Sequence, residues 1–211
     1  MTKIFFDTEF TGLHQATTLI SIGLVAEGGE SFYAELTDYD QSQINDWLRD
    51  NVISHLQLAS IPKNRVFNGA LAFPSKAGEN HEVVAPMTSY CHIRGSKEVV
   101  AAMLTQWLEK FTSASINASV QFWSDCLAYD WVLLNALLAD YSEGYPQLPP
   151  GLNYIPMDIC PLLQLKGIDP DVSREHFAFG DAIYGQDFGQ LKHNALWDAR
   201  VIKACYEKLT A

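Results

Sequence analysis

The stretch 4–10 carries two carboxylates, Asp7 and Glu9, within an otherwise aromatic and β-branched run. Such a run predicts a strand that is buried on both faces. Because side chains alternate along a strand, both carboxylates project from the same face. Two like charges held that close lose hydration and repel each other, and a divalent cation would stabilise them. A pair of acids at a solvated strand edge is the alternative, and the large apolar neighbours disfavour it.

A third carboxylate, Asp130, is the only charged residue between Cys126 and Ala139. The stretch is apolar almost all round and predicts a buried helix over 127–139. A carboxylate on an apolar helix face must be paired or bound to a metal, so Asp130 is a candidate ligand, and pairing with an arginine stays open. Asp125, at the end of the preceding strand, is the weaker candidate because it could simply cap the helix.

The last helix, predicted over 195–209, places a further carboxylate, Asp198, on the face that should contact the core. Asn194 has the residue type of a helix N-cap, which leaves His193 on the preceding loop. From that loop, His193 and Asp198 can reach one centre. A lone histidine is more often structural or solvated, so His193 becomes a candidate because of its neighbours.

Four carboxylates would then meet at one centre: Asp7, Glu9, Asp130 and Asp198. Hard oxygen ligands select Mg²⁺ or Mn²⁺ over zinc, which prefers cysteine and histidine. Two such ions can activate a water and stabilise the leaving oxygen of a phosphodiester. His193 titrates near neutrality as a residue type and is suited to take the proton from that water.

Five strands and several helices are expected to position these groups. Three strands in series, at 4–10, 19–25 and 31–36, should pair antiparallel, because a Gly-Gly hairpin signal separates the last two. Short strands are predicted at 120–123 and 154–159. Helices are predicted at 41–58, 98–111, 127–139, from Pro161, and at 195–209, with a loop over 169–186. This order predicts an α/β fold, a mixed five-stranded sheet flanked by helices, in a single domain of residues 1–211.

The segment 60–95 differs from the rest, because it holds three prolines and three glycines and shows no sustained period. It is predicted to be an irregular insertion. Long irregular segments in compact domains are often functional, and the basic and aromatic residues here could contact a phosphodiester strand. A surface excursion without a ligand is an equal alternative.

The formal net charge of −11 over 211 residues argues against a general electrostatic grip on nucleic acid. It does not exclude a nucleic-acid enzyme in which metal ions neutralise phosphate locally. No run approaches the length of a membrane span, and the N-terminus lacks the apolar stretch of a signal peptide. With four scattered cysteines that form no close pair, a cytoplasmic location is expected.

Three motifs, taken in order, resemble those of a known family. The stretch 5–12 carries an Asp-x-Glu, in 128–134 an aromatic precedes Asp130, and 193–199 holds a histidine five residues before Asp198. The ordered set resembles the DEDDh 3′→5′ exonucleases of the ribonuclease H-like fold. More narrowly, 6–10, 19–26 and 193–200 are similar to the polyadenylate-specific exoribonuclease (ribonuclease AS) group.

This resemblance implies a ribonuclease H-like fold and hydrolysis of single-stranded RNA, in preference to DNA, from its 3′ end to nucleoside 5′-monophosphates. It also implies two Mg²⁺ or Mn²⁺ ions and a homodimer. By the same resemblance, four consecutive residues would line the pocket for the 3′-terminal nucleotide: Phe10, Thr11, Gly12 and Leu13. Phe10 stands where many relatives have threonine.

Two other functions stay open at this point. A DNA exonuclease would use the same chemistry, and the sequence contains nothing identifiable as a sensor of the 2′-hydroxyl. A non-catalytic binding module on the same fold is the third possibility. The presence of every carboxylate and of His193 disfavours it, because binding alone needs no general base.

Overall fold

Seven strands form one mixed sheet in the computed structural model, which describes residues 1–60, 63, 65–69 (backbone only), 90–115, 117–139, 147–180 and 191–211. The strands are β1 (Thr2–Phe10), β2 (Leu19–Ala26), β3 (Ser31–Leu36), β4 (Arg65–Gly69), β5 (Tyr90–Gly95), β6 (Val120–Ser124) and β7 (Met157–Asp158). Their order across the sheet is β4-β5-β3-β2-β1-β6-β7. The predicted α/β class is confirmed, and it is consistent with a ribonuclease H-like fold. The described strands number seven rather than the five expected.

Strand β1 lies inside the sheet, with a partner on each side. It pairs antiparallel with β2, which pairs antiparallel with β3, so the predicted three-stranded series is confirmed. On its other side β1 pairs parallel with β6. The β6 pairing covers Thr2–Phe5, whereas Asp7 and Glu9 pair with Gly23 and Ser21 of β2, so the backbone that carries the carboxylates is hydrogen-bonded on its β2 side.

The two strands that the sequence did not predict lie within the segment 60–95. Strand β5 pairs parallel with β3 and antiparallel with β4, so the prediction of an irregular segment is wrong at both of these strands. In β5, Cys91 and Ile93 are buried in the core, while His92 and Arg94 point to the opposite face. Six residues with polar types at alternate positions give too short a pattern to recognise. Residues 61, 62, 64 and 70–89 of this segment lie outside the described residues.

Six α-helices are described: α1 (Asp46–Asn51), α2 (Lys97–Thr112), α3 (Ala128–Leu138), α4 (Ile159–Leu165), α5 (Arg174–Phe179) and α6 (Ala195–Thr210). Helices α2, α3 and α6 match the predictions closely. The predicted helix over 41–58 is instead the short α1 between two 3₁₀ turns, Gln41–Gln43 and Ile53–His55. None of the helices in the described part of the chain is long and apolar enough to cross a membrane.

The region between residues 154 and 180 also departs from the prediction. The expected strand at 154–159 is reduced to β7, because Tyr154 and Ile155 are exposed rather than paired in the sheet. Helix α4 begins at Ile159, two residues before Pro161, since a proline in the first helical turn removes no intrahelical hydrogen bond. The predicted loop over 169–186 contains α5, and 181–190 lie outside the described residues.

The core has two sides, one on each face of the sheet. Helices α2 and α3 pack on the face that carries Ile4 and Phe6, and α6 packs on the face that carries Phe5. Helix α6 comes very close to the sheet at Gly23, where an added Cβ would lie 2.3 Å from the backbone of Ala195 and Leu196. Gly23 is also the β2 partner of Asp7. The absence of a side chain at Gly23 therefore lets the first turn of α6 reach the part of β1 that carries the carboxylates.

Substituting Gly23→Ala should lower the free energy of unfolding by about 3 kcal/mol, because the new methyl group meets backbone that cannot rotate away. Gly167→Ala is a matched control, since its methyl would meet nothing within 4 Å and only the positive φ of 73° opposes it. We expect a cost of about 1 kcal/mol there. Urea unfolding of both variants measures the difference, and equal costs would contradict the close-approach argument.

Candidate metal centre

Three carboxylates from two elements meet at one end of the sheet. Asp7 and Glu9 project from the same face of β1, and Asp198 faces them from the first turn of α6. Each offers an oxygen, and these three oxygens all lie within 4.8 Å of one another. Of the four carboxylates predicted to share a centre, the structure therefore brings three into one group.

The spacing of the three follows from strand and helix geometry. Phe5, two residues before Asp7, packs on the α6 face that includes Ile202. Two residues of strand advance about 6.6 Å, and four residues of helix advance about 6 Å. Because β1 and α6 run in opposite directions, the step from Phe5 to Asp7 along the strand matches the step from Ile202 back to Asp198 along the helix. The same packing that buries the apolar residues thus sets the carboxylates opposite each other.

Burial and the charges of neighbouring carboxylates raise the pKa values of these three groups. Burial raises the pKa of Asp7 well above its ordinary value, and the charged neighbours that raise it further are carboxylates, including Asp130 and Asp198. Burial, then Asp198 and Asp130, raise the pKa of Glu9 to about 8. Burial and the charge of Glu175 raise the pKa of Asp198 to about 8, against a backbone hydrogen bond from His193. These carboxyl groups therefore favour their protonated form, and ionising all of them is costly unless a cation balances the charge.

Asp130 lies beside this group but is held by hydrogen bonds of its own. Its carboxylate accepts from Thr8 Oγ1, which points to the opposite face of β1, and from Ser124 Oγ at 3.0 Å. Burial raises the pKa of Asp130 to about 7 despite these two donors. Its charge still raises the pKa of Asp7 and of Glu9, so Asp130 borders the centre.

Asp125, the weaker alternative to Asp130, forms an ion pair instead. Its Oδ2 accepts from Arg174 Nε at 2.7 Å. Arg174 belongs to α5, which the sequence did not predict, so this partner could not have been anticipated. The pairing leaves Asp130 as the better candidate for a role at the centre.

His193 stands next to the three carboxylates on the loop before α6. Its Nδ1 lies 4.0 Å from Glu9 Oε1, and its φ of 62° is a left-handed conformation that is uncommon outside glycine. The predicted cap is confirmed, because Asn194 Oδ1 accepts from Trp197 N at 3.2 Å. Burial, followed by the charges of Lys192 and His55, lowers the pKa of His193. The imidazole is therefore neutral at neutral pH and able to accept a proton.

The four residues predicted to line a nucleotide pocket have different environments. The Phe10 ring stacks on Tyr129, with centroids 5.4 Å apart and planes inclined by 16°. Thr11 is buried, and its hydroxyl bonds to Gln43 and accepts from the backbone N–H of Thr18. The Gly12 N–H donates to Thr17, and Leu13 is 77% exposed. The side chains of Phe10 and Leu13 thus remain available to a ligand, while Thr11 shapes the loop.

Trp47 is a candidate functional residue that the sequence did not reveal. Its spacing predicts a buried position on a helix, yet it is 55% exposed and its ring meets the His193 ring edge-on at a centroid distance of 5.3 Å. Thr8, Ser124 and Gly23 were also missed. Thr8 and Gly23 have no signal in the sequence, because each matters through a residue distant along the chain. Ser124 binds Asp130 only six residues later, but its residue type does not indicate that contact.

The donor set fits divalent ions that prefer oxygen. Asp7, Glu9 and Asp198 offer only carboxylate oxygens, and a cation between them would relieve the repulsion that raises their pKa values. Mg²⁺ and Mn²⁺ suit such ligands, whereas zinc would favour nitrogen or sulfur. The residues present therefore fit the ions expected from the sequence.

Comparison with known proteins gives one partial likeness. The chain is 41% identical over 54 residues to a protein named 3′-5′ exoribonuclease in each of two strains of Mycobacterium tuberculosis. The match covers 26% of this chain and 32% of the relatives, so the chain spans about a third of the length of the curated relatives it matches. No family model matches the sequence.

Metal binding should raise the unfolding temperature more at pH 8 than at pH 5. The folded pKa values of about 8 for Glu9 and Asp198 lie above those of the unfolded chain, so the metal-free protein loses stability as pH rises toward 8. A cation then relieves more repulsion and displaces fewer protons at the higher pH. Differential scanning fluorimetry with and without Mn²⁺ measures both effects.

The variant Glu9→Gln should reduce the Mn²⁺-induced increase, and its metal-free form should depend less on pH. Glu207→Gln is the matched control, because Glu207 is exposed and pairs with Lys203 at the other end of α6. An Mn²⁺ effect that is the same in Glu9→Gln as in the parent would show that the ion binds elsewhere.

Proposed function

We propose that this protein is a divalent-metal-dependent 3′→5′ exoribonuclease that trims single-stranded RNA to nucleoside 5′-monophosphates. The observation that carries the proposal is the partly buried group of three carboxylates from β1 and α6 with His193 beside it. The relatives named 3′-5′ exoribonuclease support it over the aligned part of the chain.

In this proposal Asp7, Glu9 and Asp198 hold the ions, and Asp130 completes the set from the border of the centre. Bound Mg²⁺ or Mn²⁺ would supply Lewis-acid activation of the attacking water and charge stabilisation at the phosphate. Thr8 and Ser124 fix the position of the Asp130 carboxylate by donating hydrogen bonds to it. The ordering of Asp130 by two hydroxyl groups is a reason for it to remain in place when no ion is bound.

His193 would act as the general base. Its lowered pKa leaves the ring unprotonated at neutral pH, and its position beside Glu9 puts it at the edge of the carboxylate group rather than among the ligands. It accepts the proton that the attacking water loses and returns it to solvent, since the ring is about one third exposed.

Aromatic side chains around the centre suit a single-stranded substrate. Trp47 exposes its ring beside His193, and the stacked pair Phe10 and Tyr129 begins one residue after Glu9. Nucleobases stack on such faces without much regard to sequence. Phosphate contact would then be left mainly to the ions, which agrees with the net charge of −11.

RNA rather than DNA, two ions rather than one, and a homodimer are parts of the proposal that come from the family resemblance. A DNA exonuclease would use the same residues, and a binding module would leave the carboxylates and His193 without a chemical role. Digestion of RNA and DNA oligonucleotides separates the three candidate functions: RNA exonuclease, DNA exonuclease and binding module.

We expect a time course on 3′- and 5′-labelled oligo(A), oligo(U) and a matched DNA oligonucleotide to show stepwise shortening of RNA from its 3′ end with Mg²⁺ or Mn²⁺. Asp7→Asn should abolish it, because this change removes a ligand while preserving shape. Faster degradation of the DNA oligonucleotide than of RNA would favour the DNA exonuclease. A parent protein that degrades none of the three with either ion would contradict nuclease activity.

His193→Asn should lower kcat by about 10²–10⁴-fold, the range typical of general base catalysis. Asparagine is chosen because it tolerates the left-handed φ of 62°, whereas alanine would add backbone strain. The Mn²⁺-induced rise in unfolding temperature should match that of the parent, since no metal ligand is changed. Turnover close to that of the parent would rule out the proposed role.

A further inference from the structure

A chain of three buried polar residues runs from β3 to the first turn of α6. Glu35 and Tyr33 lie on β3, and Asn194 is the N-cap of α6; they are 1%, 0% and 3% exposed. Polar side chains this deeply buried are costly unless they are hydrogen-bonded, so their bonds indicate what they fix in place.

The bonds connect the three residues in sequence. Asn194 Nδ2 donates to Tyr33 Oη at 3.2 Å, and Tyr33 Oη donates to Glu35 Oε1 at 2.9 Å. Because the phenolic oxygen accepts from one partner and donates to the other, the tyrosine hydroxyl connects the side chains of Asn194 and Glu35 directly.

Asn194 uses both ends of its amide group, which fixes its orientation. While Nδ2 reaches Tyr33, Oδ1 accepts the Trp197 N–H and closes the first turn of α6. Asn194 is bonded through the peptide link to His193, whose left-handed backbone conformation must be held by its surroundings. The position of the imidazole therefore depends on the residue that Tyr33 holds.

Glu35 attaches a second segment to the same chain. Its Oε1 also accepts the backbone N–H groups of Gln57 and Leu58, at 2.6 and 2.7 Å. The carbonyl of His55, just before them, accepts from Asn194 Nδ2 at 3.3 Å. The segment 55–58 is thereby held to β3 by Glu35 and to the N-cap of α6 by the His55 carbonyl.

We infer that Tyr33 and Glu35 are positioning residues for His193, acting through Asn194 and the first turn of α6. This inference rests on the proposed function. Neither residue is part of the carboxylate group, and both are almost fully buried. Their contribution is to hold the general base within reach of the attacking water, a requirement under which a displacement of about 1 Å can cost 10²-fold in rate.

Tyr33→Phe tests the inference because it removes the hydroxyl and keeps the ring. We expect kcat on oligo(A) to fall about 10-fold, with KM and the Mn²⁺-induced thermal shift unchanged. Tyr206→Phe is the matched control: Tyr206 lies on α6 but packs against Phe5 and Trp123, and its loss of a hydroxyl should leave kcat unchanged.

Glu35 gives an independent test with a conservative rescue. Glu35→Ala should lower kcat as Tyr33→Phe does. Glu35→Gln should recover most of the turnover, because an amide oxygen can accept the same three bonds. The amide nitrogen would replace Oε2, which has no hydrogen-bond partner among the described residues. Equal losses in the Gln and Ala variants would overturn the role of Glu35.

A double-mutant cycle separates positioning of His193 from a general structural effect. In single-turnover assays with His193→Asn as the background, Tyr33→Phe should change the rate less than 2-fold, because the group it positions is gone. An equal 10-fold loss in both backgrounds would overturn the inference. A parent protein without nuclease activity would instead contradict the proposed function, so the two failures are distinguishable.

Discussion

Repulsion among partly buried carboxylates is the constraint on which the rest of the site depends. Asp7, Glu9 and Asp198 gather three acidic groups within 4.8 Å, and burial raises the pKa of each. The metal-free form is less stable at neutral pH than at acidic pH, because the carboxyl groups ionise as the pH rises. A cation bound between them would offset this loss by balancing their charge. The backbone that carries Asp7 and Glu9 is held by pairing with β2, and the preceding residues Thr2–Phe5 pair with β6 as well.

Close contact between α6 and the sheet fixes where Asp198 lies relative to Asp7 and Glu9. Gly23 leaves room for the backbone at the start of α6, and Asn194 ties that helix to β3 through Tyr33. The contact thus depends on the missing side chain at Gly23 and on the buried hydrogen bond between Asn194 and Tyr33. Both act on the same turn, which carries Asp198 and follows His193. The catalytic proposal accordingly depends on residues that never touch a substrate.

Particular residues show where sequence reasoning succeeds. Asp7 and Glu9 were predictable because a strand with alternating faces forces two acids two residues apart onto one side. Asp198 was predictable because its helix has a clear apolar face. Asp130 illustrates the limit: its isolation in an apolar helix shows that it needs a partner, but hydroxyl groups from Thr8 and Ser124 fill that need first. Trp47 illustrates another, since helical spacing cannot distinguish a core tryptophan from one exposed beside His193.

By itself, the sequence determined the α/β class, the antiparallel β1–β3 series, the helices α2, α3 and α6, and the acidic and histidine candidates. These follow from local periodicity and residue chemistry, which act over a few residues. Only the tertiary structure decided the strand pairings of β4 and β5, the grouping of three carboxylates rather than four, and the Arg174 partner of Asp125. Each of these depends on contacts between residues far apart in the chain, whose distances no local pattern encodes.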